Sequence, residues 1–154
     1  MATAKPSIYF HHPYGPFPFP NRNRLKAFLS EMISREKQQL AEINFIFCTD
    51  DYLLKINQQF LHHDTYTDII TFPFSKKGAP LLADIYISVD RVKENARRFQ
   101  VSCTQELYRV IFHGILHLCG YQDKKKQQIV LMRSKEEEYL GRYGVPRGTS
   151  SPLV

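Results

Sequence analysis

Two histidines four residues apart, followed by a glycine and an aspartate, form the part of this sequence best suited to chemistry. They lie in one segment, HGILHLCGYQD, which runs from His113 to Asp123. Residues four apart on a helix share one face, so His113 and His117 can direct their imidazoles at one ion. Gly120 can adopt the positive φ that ends a helix and turns the chain, which would bring Asp123 to the same ion. Two imidazoles and one carboxylate, with a fourth position left for water, are the ligand pattern of a catalytic zinc site.

The alternative is that the histidine pair is coincidental, because this spacing occurs on many helices. Here, however, the pair lies on a strongly apolar stretch, and a buried polar group needs a partner. The residue after His113 is Gly114, whereas zinc proteases of the HExxH type carry there the glutamate that acts as general base. The pattern therefore predicts a metal-dependent hydrolase with His113, His117 and Asp123 as ligands, and it argues against a peptidase.

The elements that must position these residues follow from the hydrophobic periodicity. Together they predict an α/β (α+β) fold, in which a small mixed sheet of about four strands packs with about five helices. The metal site would lie at the C-terminal end of a central buried helix. We expect one domain over residues 1–154, with a frayed tail after about residue 141. The predicted strands are Ser7–His11, Ile43–Thr49, Asp68–Phe74 and Asp84–Ser88, and the predicted helices are Arg24–Leu40, Asp50–Phe60, Asp90–Phe99, Gln105–Leu118 and Lys125–Tyr139.

The composition is that of a globular protein, with 43% hydrophobic and 23% charged residues, and it excludes a disordered chain. No apolar run approaches the roughly 20 residues that cross a bilayer, so we expect a cytoplasmic protein without membrane contact. Cys48, Cys103 and Cys119 form no CxxC pair, and we expect them to be reduced and mostly buried. The formal charge of +6 favours a polyanionic partner such as RNA or DNA.

Three segments taken together resemble the YbeY family of metal-dependent endoribonucleases. The segment HGILHLCGYQD resembles the family signature HGxLHLxGYDH. The segment TDIITF at Thr67–Phe72 resembles the family strand TDVLSF, and ADIYIS at Ala83–Ser88 resembles GDIxIS. Their order and spacing also agree, and the resemblance covers roughly residues 43–139.

The resemblance implies a small α/β fold with one zinc ion per chain. It also implies cleavage of single-stranded RNA, with a role in 16S rRNA 3′-end processing and in ribosome quality control. The expected partners are rRNA and the small ribosomal subunit. The first two family histidines fall on His113 and His117, whereas the third falls on Asp123. Aspartate is a competent zinc ligand, although its harder oxygen can shift the metal preference. The family aspartate before the third ligand falls on Gln122, so its negative charge is absent here.

A second departure from the family concerns catalysis. After an Asn-x-x-aromatic turn the family usually carries an arginine, but here Asn57-Gln-Gln-Phe60 is followed by Leu61. Leucine cannot neutralise a phosphate or stabilise a charged transition state. Three explanations stay open: His62 or His63 substitutes, a basic residue arrives from elsewhere, or the nuclease activity is weak. Both histidines could equally belong to a solvated loop.

Several other residues have both a functional and a structural interpretation. Asp68 could orient a ligand histidine or cap a strand or turn. Phe17 and Phe19 could stack on bases or pack within their loop. A group of basic residues could form a rim that holds phosphates, and the alternative is a solvated charged face. The RNA-contacting candidates are Lys124, Lys125, Lys126, Arg97, Arg98 and His63, and Arg91 and Lys93 could complete the rim.

The leading hypothesis is thus a zinc-dependent, single-strand-specific endoribonuclease of rRNA maturation. Metal-bound water or an activated 2′-hydroxyl would attack the phosphodiester, and the sequence leaves both routes open. The second hypothesis is a ribosome-binding assembly factor whose metal is structural, which Leu61 favours. The third is a metal hydrolase of another substrate; Gly114 and the basic charge speak against a peptide.

Overall fold

A four-stranded sheet with five helices makes up this protein, as given by a computed structural model that describes residues 5–17, 19–61 and 67–145. The strands lie in the order β1-β2-β4-β3. This arrangement confirms the predicted α/β class with a small mixed sheet. In chain order the elements are β1 (Ser7–His11), α1 (Arg22–Arg35), β2 (Leu40–Cys48), α2 (Asp50–Phe60), β3 (Ile69–Pro73), β4 (Leu81–Ser88), α3 (Val89–Phe99), α4 (Cys103–Leu118) and α5 (Lys126–Arg142).

The sheet has one buried face and one partly open face. β1, β2 and β4 are parallel, whereas β3 pairs antiparallel with β4 at one edge. Successive side chains of a strand point to opposite faces. Along β2, Ile43, Phe45 and Phe47 are accordingly buried, while Asn44 and Ile46 on the other face are half-buried. The first face belongs to the main core with α1, α4 and α5, and α2 covers part of the second.

Helix α4 is the buried central helix that its apolar sequence predicts. It packs against α3, α5 and β3. Leu107, Ile111, Ile115 and Leu116 have no exposed surface. Because the helix is fixed on several sides, the histidines near its C-terminal end are held on a rigid support.

Helix α1 ends earlier than predicted. It stops at Arg35, and Leu40 belongs to β2 instead. The stop is a Schellman motif, in which the backbone N–H of Gln38 donates to Ile33 and that of Lys37 donates to Ser34. Lys37 occupies the left-handed position with φ 63°, where glycine is usual. Because no glycine stands there, this helix end could not be predicted from the residue types.

The ordered C-terminal part extends further than predicted. Helix α5 runs to Arg142, and Tyr143 is buried against Phe28, Tyr108 and Phe112. Val145 also packs against the core. The remainder of the predicted frayed tail, residues 146–154, lies outside the described residues.

The cysteines are all free, as predicted, but only one of them is fully buried. Cys48 is buried, Cys119 is half-buried and Cys103 is exposed at the start of α4. Burial raises the pKa of the Cys48 and Cys119 thiols to about 12, with nearby carboxylates adding to the shift. Both are therefore protonated at neutral pH. Within the described part of the chain, no helix is long and apolar enough to cross a membrane.

Candidate metal centre

The three predicted ligands converge at the C-terminal end of α4. The Nε2 atoms of His113 and His117 lie 3.0 Å apart. The Oδ2 atom of Asp123 lies 3.3 Å from each of these nitrogens. All three side chains are partly exposed, so the group is open to a ligand from solvent.

The turn after α4 brings Asp123 back to the helix that carries the histidines. The backbone N–H of Gly120 donates to His117 and that of Tyr121 donates to Leu116, which is a Schellman motif. Gly120 has φ 104°, and glycine adopts this conformation at little cost. The predicted role of Gly120 in turning the chain is confirmed.

The spacing and chemistry of this triangle fit a tetrahedral metal ion. Ligand atoms at about 2.0–2.1 Å from zinc in a tetrahedral arrangement are separated from one another by about 3.3 Å. The separations of 3.0–3.3 Å agree with that figure. Three electron-pair donors that meet without a cation repel one another, so the arrangement favours a positive charge at its centre.

The outer nitrogen of His113 is held by a buried carboxylate. Nδ1 of His113 lies 2.6 Å from Oε2 of Glu136, which is only 2% exposed. A carboxylate acceptor places the proton on Nδ1 and leaves the lone pair on Nε2. Burial alone would raise the pKa of Glu136, but the hydrogen bond from His113 and the charge of Arg109 lower it below its ordinary value. Glu136 is therefore a carboxylate at neutral pH.

Arg109 holds Glu136 in place. Its Nη1 donates to Glu136 at 3.0 Å, and its Nε and Nη2 each donate to Glu106 at 2.8 Å. Burial alone would lower the pKa of Arg109, but Glu106 and Glu136 raise it above its usual range. Nη2 also lies 3.6 Å from Oδ2 of Asp68. Among the described residues, the Asp68 carboxylate therefore pairs with Arg109 and forms no hydrogen bond to either histidine.

The outer nitrogen of His117 is held by the turn itself. Nδ1 of His117 lies 2.9 Å from the carbonyl oxygen of Tyr121, to which it donates. The Tyr121 hydroxyl donates in turn to Glu36 at 2.7 Å, and the Tyr139 hydroxyl donates to the other oxygen of Glu36. Glu36 therefore connects α1, α5 and the turn that positions Asp123. Both histidines present Nε2 to the same point.

A cleft of about 520 Å³ opens over the triangle. Its walls come from the end of α2, the start of β3 and the turn after α4. Leu61 lies in this wall and is 40% exposed, and among the described residues of the wall the basic side chain is that of Lys124. Leu61 therefore presents an apolar side chain at the position where the family usually carries an arginine.

The family model for Endoribonuclease YbeY matches residues 19–144. This chain belongs to the YbeY family. This match confirms the predicted family. It also confirms the predicted enzyme class, because the relatives are named endoribonucleases.

Relatives in the YbeY family cover most of the chain. An Endoribonuclease YbeY of Flavobacterium psychrophilum is 54% identical over 73% of this chain and 79% of its own. Its counterpart from Cytophaga hutchinsonii is 42% identical over 87% of this chain and 94% of its own. The solution structure of a Thermotoga maritima protein is 30% identical, covers 96% of this chain and 99% of that chain, and has a TM-score of 0.60.

Gly114, within the YbeY signature, lets α4 approach the sheet closely. A Cβ atom at this position would lie 2.8 Å from Cδ1 of Ile69 and 3.4 Å from two atoms of Ile85. Any larger residue here, the glutamate of an HExxH protease included, would require the Ile69 side chain to shift.

The described residues of the predicted basic rim have different surroundings, and their contact with RNA stays a prediction. Of its described members only Lys124 lines the cleft, whereas Arg97 lines a separate surface cleft and pairs with Glu94 at 2.8 Å. Arg91 is partly buried and pairs with Asp50 at 3.0 Å. Arg98 lies over the ring of Phe99. His62 and His63 lie outside the described residues. Whether either of them replaces the family arginine therefore stays open.

Phe17 and Phe19 favour the packing interpretation. Phe19 is 8% exposed, and both rings contact Phe47 in the core. Neither residue borders the cleft over the triangle. The two loop aromatics therefore pack in the core, and neither is placed to stack on a base in the cleft.

Glu136 and Arg109 are the site residues that sequence reasoning missed. Glu136 is the first of three consecutive glutamates, and only Glu136 among them is buried. One signal was present, since Arg109, His113 and His117 recur every four residues and therefore share one face of α4. A cation on the ligand face of a buried helix needs an anion from another element.

Proposed function

We propose that this protein is a zinc-dependent endoribonuclease that cleaves single-stranded RNA at the cleft over His113, His117 and Asp123. One zinc ion per chain would be held by these three side chains. The observation that carries the proposal is the 3.0–3.3 Å triangle of ligand atoms, in which both histidines have their other nitrogen engaged. Membership of the YbeY family supports RNA as the substrate.

The residues around the proposed zinc site have different roles. A bound zinc ion supplies Lewis-acid chemistry, because it activates water and offsets negative charge on a phosphodiester. Glu136 and the carbonyl of Tyr121 keep the two imidazoles oriented, and Lys124 can bind a phosphate oxygen in the cleft wall. Leu61 excludes water from its part of the wall but donates no hydrogen bond.

The biological setting is proposed on family membership and charge. We infer action on rRNA, at the 3′ end of 16S rRNA and in ribosome quality control, with the small ribosomal subunit as partner in the cytoplasm. The net charge of +6 supports a polyanionic partner. The chain would act as a single domain.

A second candidate is a ribosome assembly factor in which the metal is structural. Leu61 favours it, because a cleft wall without a guanidinium stabilises a pentacoordinate phosphate poorly. We predict that Leu61→Arg raises the cleavage rate at least about tenfold if the missing charge limits catalysis. Leu131→Arg adds the same charge at an exposed site on α5 and serves as the control. Equal cleavage by both variants and the wild type would mean that the missing guanidinium does not limit catalysis, whereas no cleavage by any of the three would favour the assembly factor.

The proposed function is tested by measuring metal content and cleavage on the same preparations. Wild type, His117→Ala and His11→Ala are purified identically; His11 is an exposed histidine of β1 that bonds Asn44 and lies outside the site. We expect wild type and His11→Ala to carry zinc and to cleave single-stranded rRNA. His117→Ala should lose most of both.

Two outcomes would contradict the proposal in different ways. Cleavage that His117→Ala shares equally with the wild type would point to a contaminating nuclease. Absence of zinc from the wild type, together with no thermal stabilisation by added zinc, would remove the site itself.

A further inference from the structure

Five aromatic rings form a continuous series on the partly open face of the sheet. Successive ring centroids are 5.3, 6.2, 5.8 and 6.2 Å apart. The members come from the loop after β1, from both ends of α2 and from β3 and β4. We refer to them as the aromatic track, which consists in spatial order of Tyr14, Tyr52, Tyr86, Phe72 and Phe60.

The two ends of the aromatic track are exposed, whereas its middle is anchored. Phe60 is 65% exposed and Tyr14 is 52% exposed. Tyr52, Tyr86 and Phe72 pack on the small core beneath α2. The anchored rings explain how the track keeps its shape, and the two exposed rings at its ends present aromatic surface to solvent.

The aromatic track begins beside the cleft over the metal triangle. Phe60 directly precedes Leu61, and Phe72 directly follows Thr71. Both Leu61 and Thr71 line that cleft. Thr71 and Phe72 point to opposite faces of the edge strand β3, so a single strand that leaves the cleft would pass round this edge of the sheet to reach Phe72 and Phe60 on the open face.

The chemistry of the aromatic track fits the bases of a single strand. Bases stack on aromatic side chains with little dependence on sequence, and a four-stranded sheet that carries such rings is a known platform for two or three bases. Lys55, between the two ends of α2, is exposed and can contact a phosphate. Asp84 lies opposite Phe72 in the β3–β4 pair and would repel phosphates, so a nucleic acid here would have to turn its bases toward the sheet.

We propose that the aromatic track is a stacking platform that guides single-stranded RNA into the cleft. This inference rests on the proposed function, because it supplies the path for that substrate. Duplex RNA would not use the track, since its bases are already stacked and paired.

The test measures binding of a cleavage-resistant single strand to the zinc-loaded protein. The probe is a fluorescent 2′-O-methyl, phosphorothioate RNA of about a dozen nucleotides, a length typical of single-strand sites, followed by anisotropy. We expect Phe60→Leu and Tyr14→Leu each to raise Kd about fivefold or more. Phe60→Trp should retain wild-type affinity, because it keeps an aromatic face.

The control is Tyr9→Leu. Tyr9 is 44% exposed on the same face of the sheet, but its ring neighbour is His11 and not a member of the aromatic track. Its affinity should match the wild type. An equal loss in Tyr9→Leu, or no loss in Phe60→Leu and Tyr14→Leu, would overturn the proposal.

The salt dependence separates stacking from charge. Loss of a stacking ring should raise Kd by the same factor at low and high salt, whereas Lys124→Gln should reduce the slope of log Kd against log salt by about 0.7. A slope that changes with Phe60→Leu would contradict stacking. If the zinc-loaded wild type cleaves RNA while the ring variants bind normally, the track fails and the proposed function stands; if the wild type neither binds nor cleaves, the proposed function fails.

Discussion

Burial distinguishes Glu136 from the two glutamates that follow it. Glu136 is 2% exposed and bonds His113, whereas Glu137 and Glu138 face solvent. A carboxylate that bonds the outer nitrogen of a ligand histidine fixes its tautomer and raises its basicity. The role of Glu136 is therefore to position His113.

We predict that Glu136→Gln weakens zinc binding about tenfold or more, because the amide orients His113 without supplying the negative charge. Glu137→Gln makes the same chemical change one residue away and should bind zinc like the wild type. Competition with a chromophoric chelator measures both affinities. Equal affinities would show that Glu136 matters only for folding, which thermal unfolding of the metal-free proteins would reveal.

At the scale of the elements, the site depends on how closely α4 approaches the sheet. Gly114 provides that approach, since a Cβ atom there would crowd Ile69 and Ile85. Gly141, on α5, has no neighbouring atom within 4 Å of an added Cβ. The two glycines therefore form a matched pair on helices of the same protein.

We predict opposite effects of alanine at these positions. Gly114→Ala should lower the free energy of unfolding by about 1–3 kcal/mol through overpacking. Gly141→Ala should raise it by about 0.4–1 kcal/mol, because alanine restricts the unfolded chain and favours the helix. Urea titration measures both. A gain in stability from Gly114→Ala would mean that Ile69 moves aside freely and that the close approach is not required.

Some helix and strand bounds and some site residues could be predicted from the sequence, and others could not. β1 and α2 have the predicted bounds, because their periodicity is clean and Asp50 and Asp51 open α2. The three converging residues were predictable because they are neighbours on one helix and its turn. The end of α1 was not predictable, since Lys37 occupies the left-handed position where a glycine would have indicated the end of the helix. The contact of Glu136 with His113 was not predictable, because the two residues are 23 positions apart and nothing local distinguishes Glu136 from Glu137.

At the scale of the whole molecule, Glu36 joins distant parts of the chain. Its partners Tyr121 and Tyr139 are 85 and 103 residues away, and Lys135 lies 3.6 Å from it. Burial alone would raise the pKa of Glu36, but the hydrogen bonds from Tyr139 and Tyr121 and the charge of Lys135 lower it. In the unfolded chain the pKa is ordinary.

The sign of the pH dependence follows from that shift. A carboxylate with a depressed pKa in the folded state contributes its full stability above about pH 5, and the contribution is lost as the pH falls through the folded-state pKa. We predict that Glu36→Gln lowers the free energy of unfolding by about 1–3 kcal/mol at pH 7. The difference from the wild type should shrink as the pH falls to about 4 and below.

Denaturant titrations with a chelator present, at several pH values, measure this difference without a contribution from metal. Glu31→Gln, on the exposed side of α1, is the control and should follow the wild type throughout. A constant gap between Glu36→Gln and the wild type at every pH would show that the hydrogen-bonding geometry, and not the charge, stabilises this junction.

The three converging side chains all fall within residues 113–123, although their supports come from the rest of the chain. A short segment with this spacing can chelate an ion even when the sheet has not formed. An ion that also binds the unfolded chain stabilises the fold only by the difference between its two affinities. The rise in Tm on adding zinc would then understate how tightly the folded protein holds the ion, and zinc could accompany the chain before folding is complete.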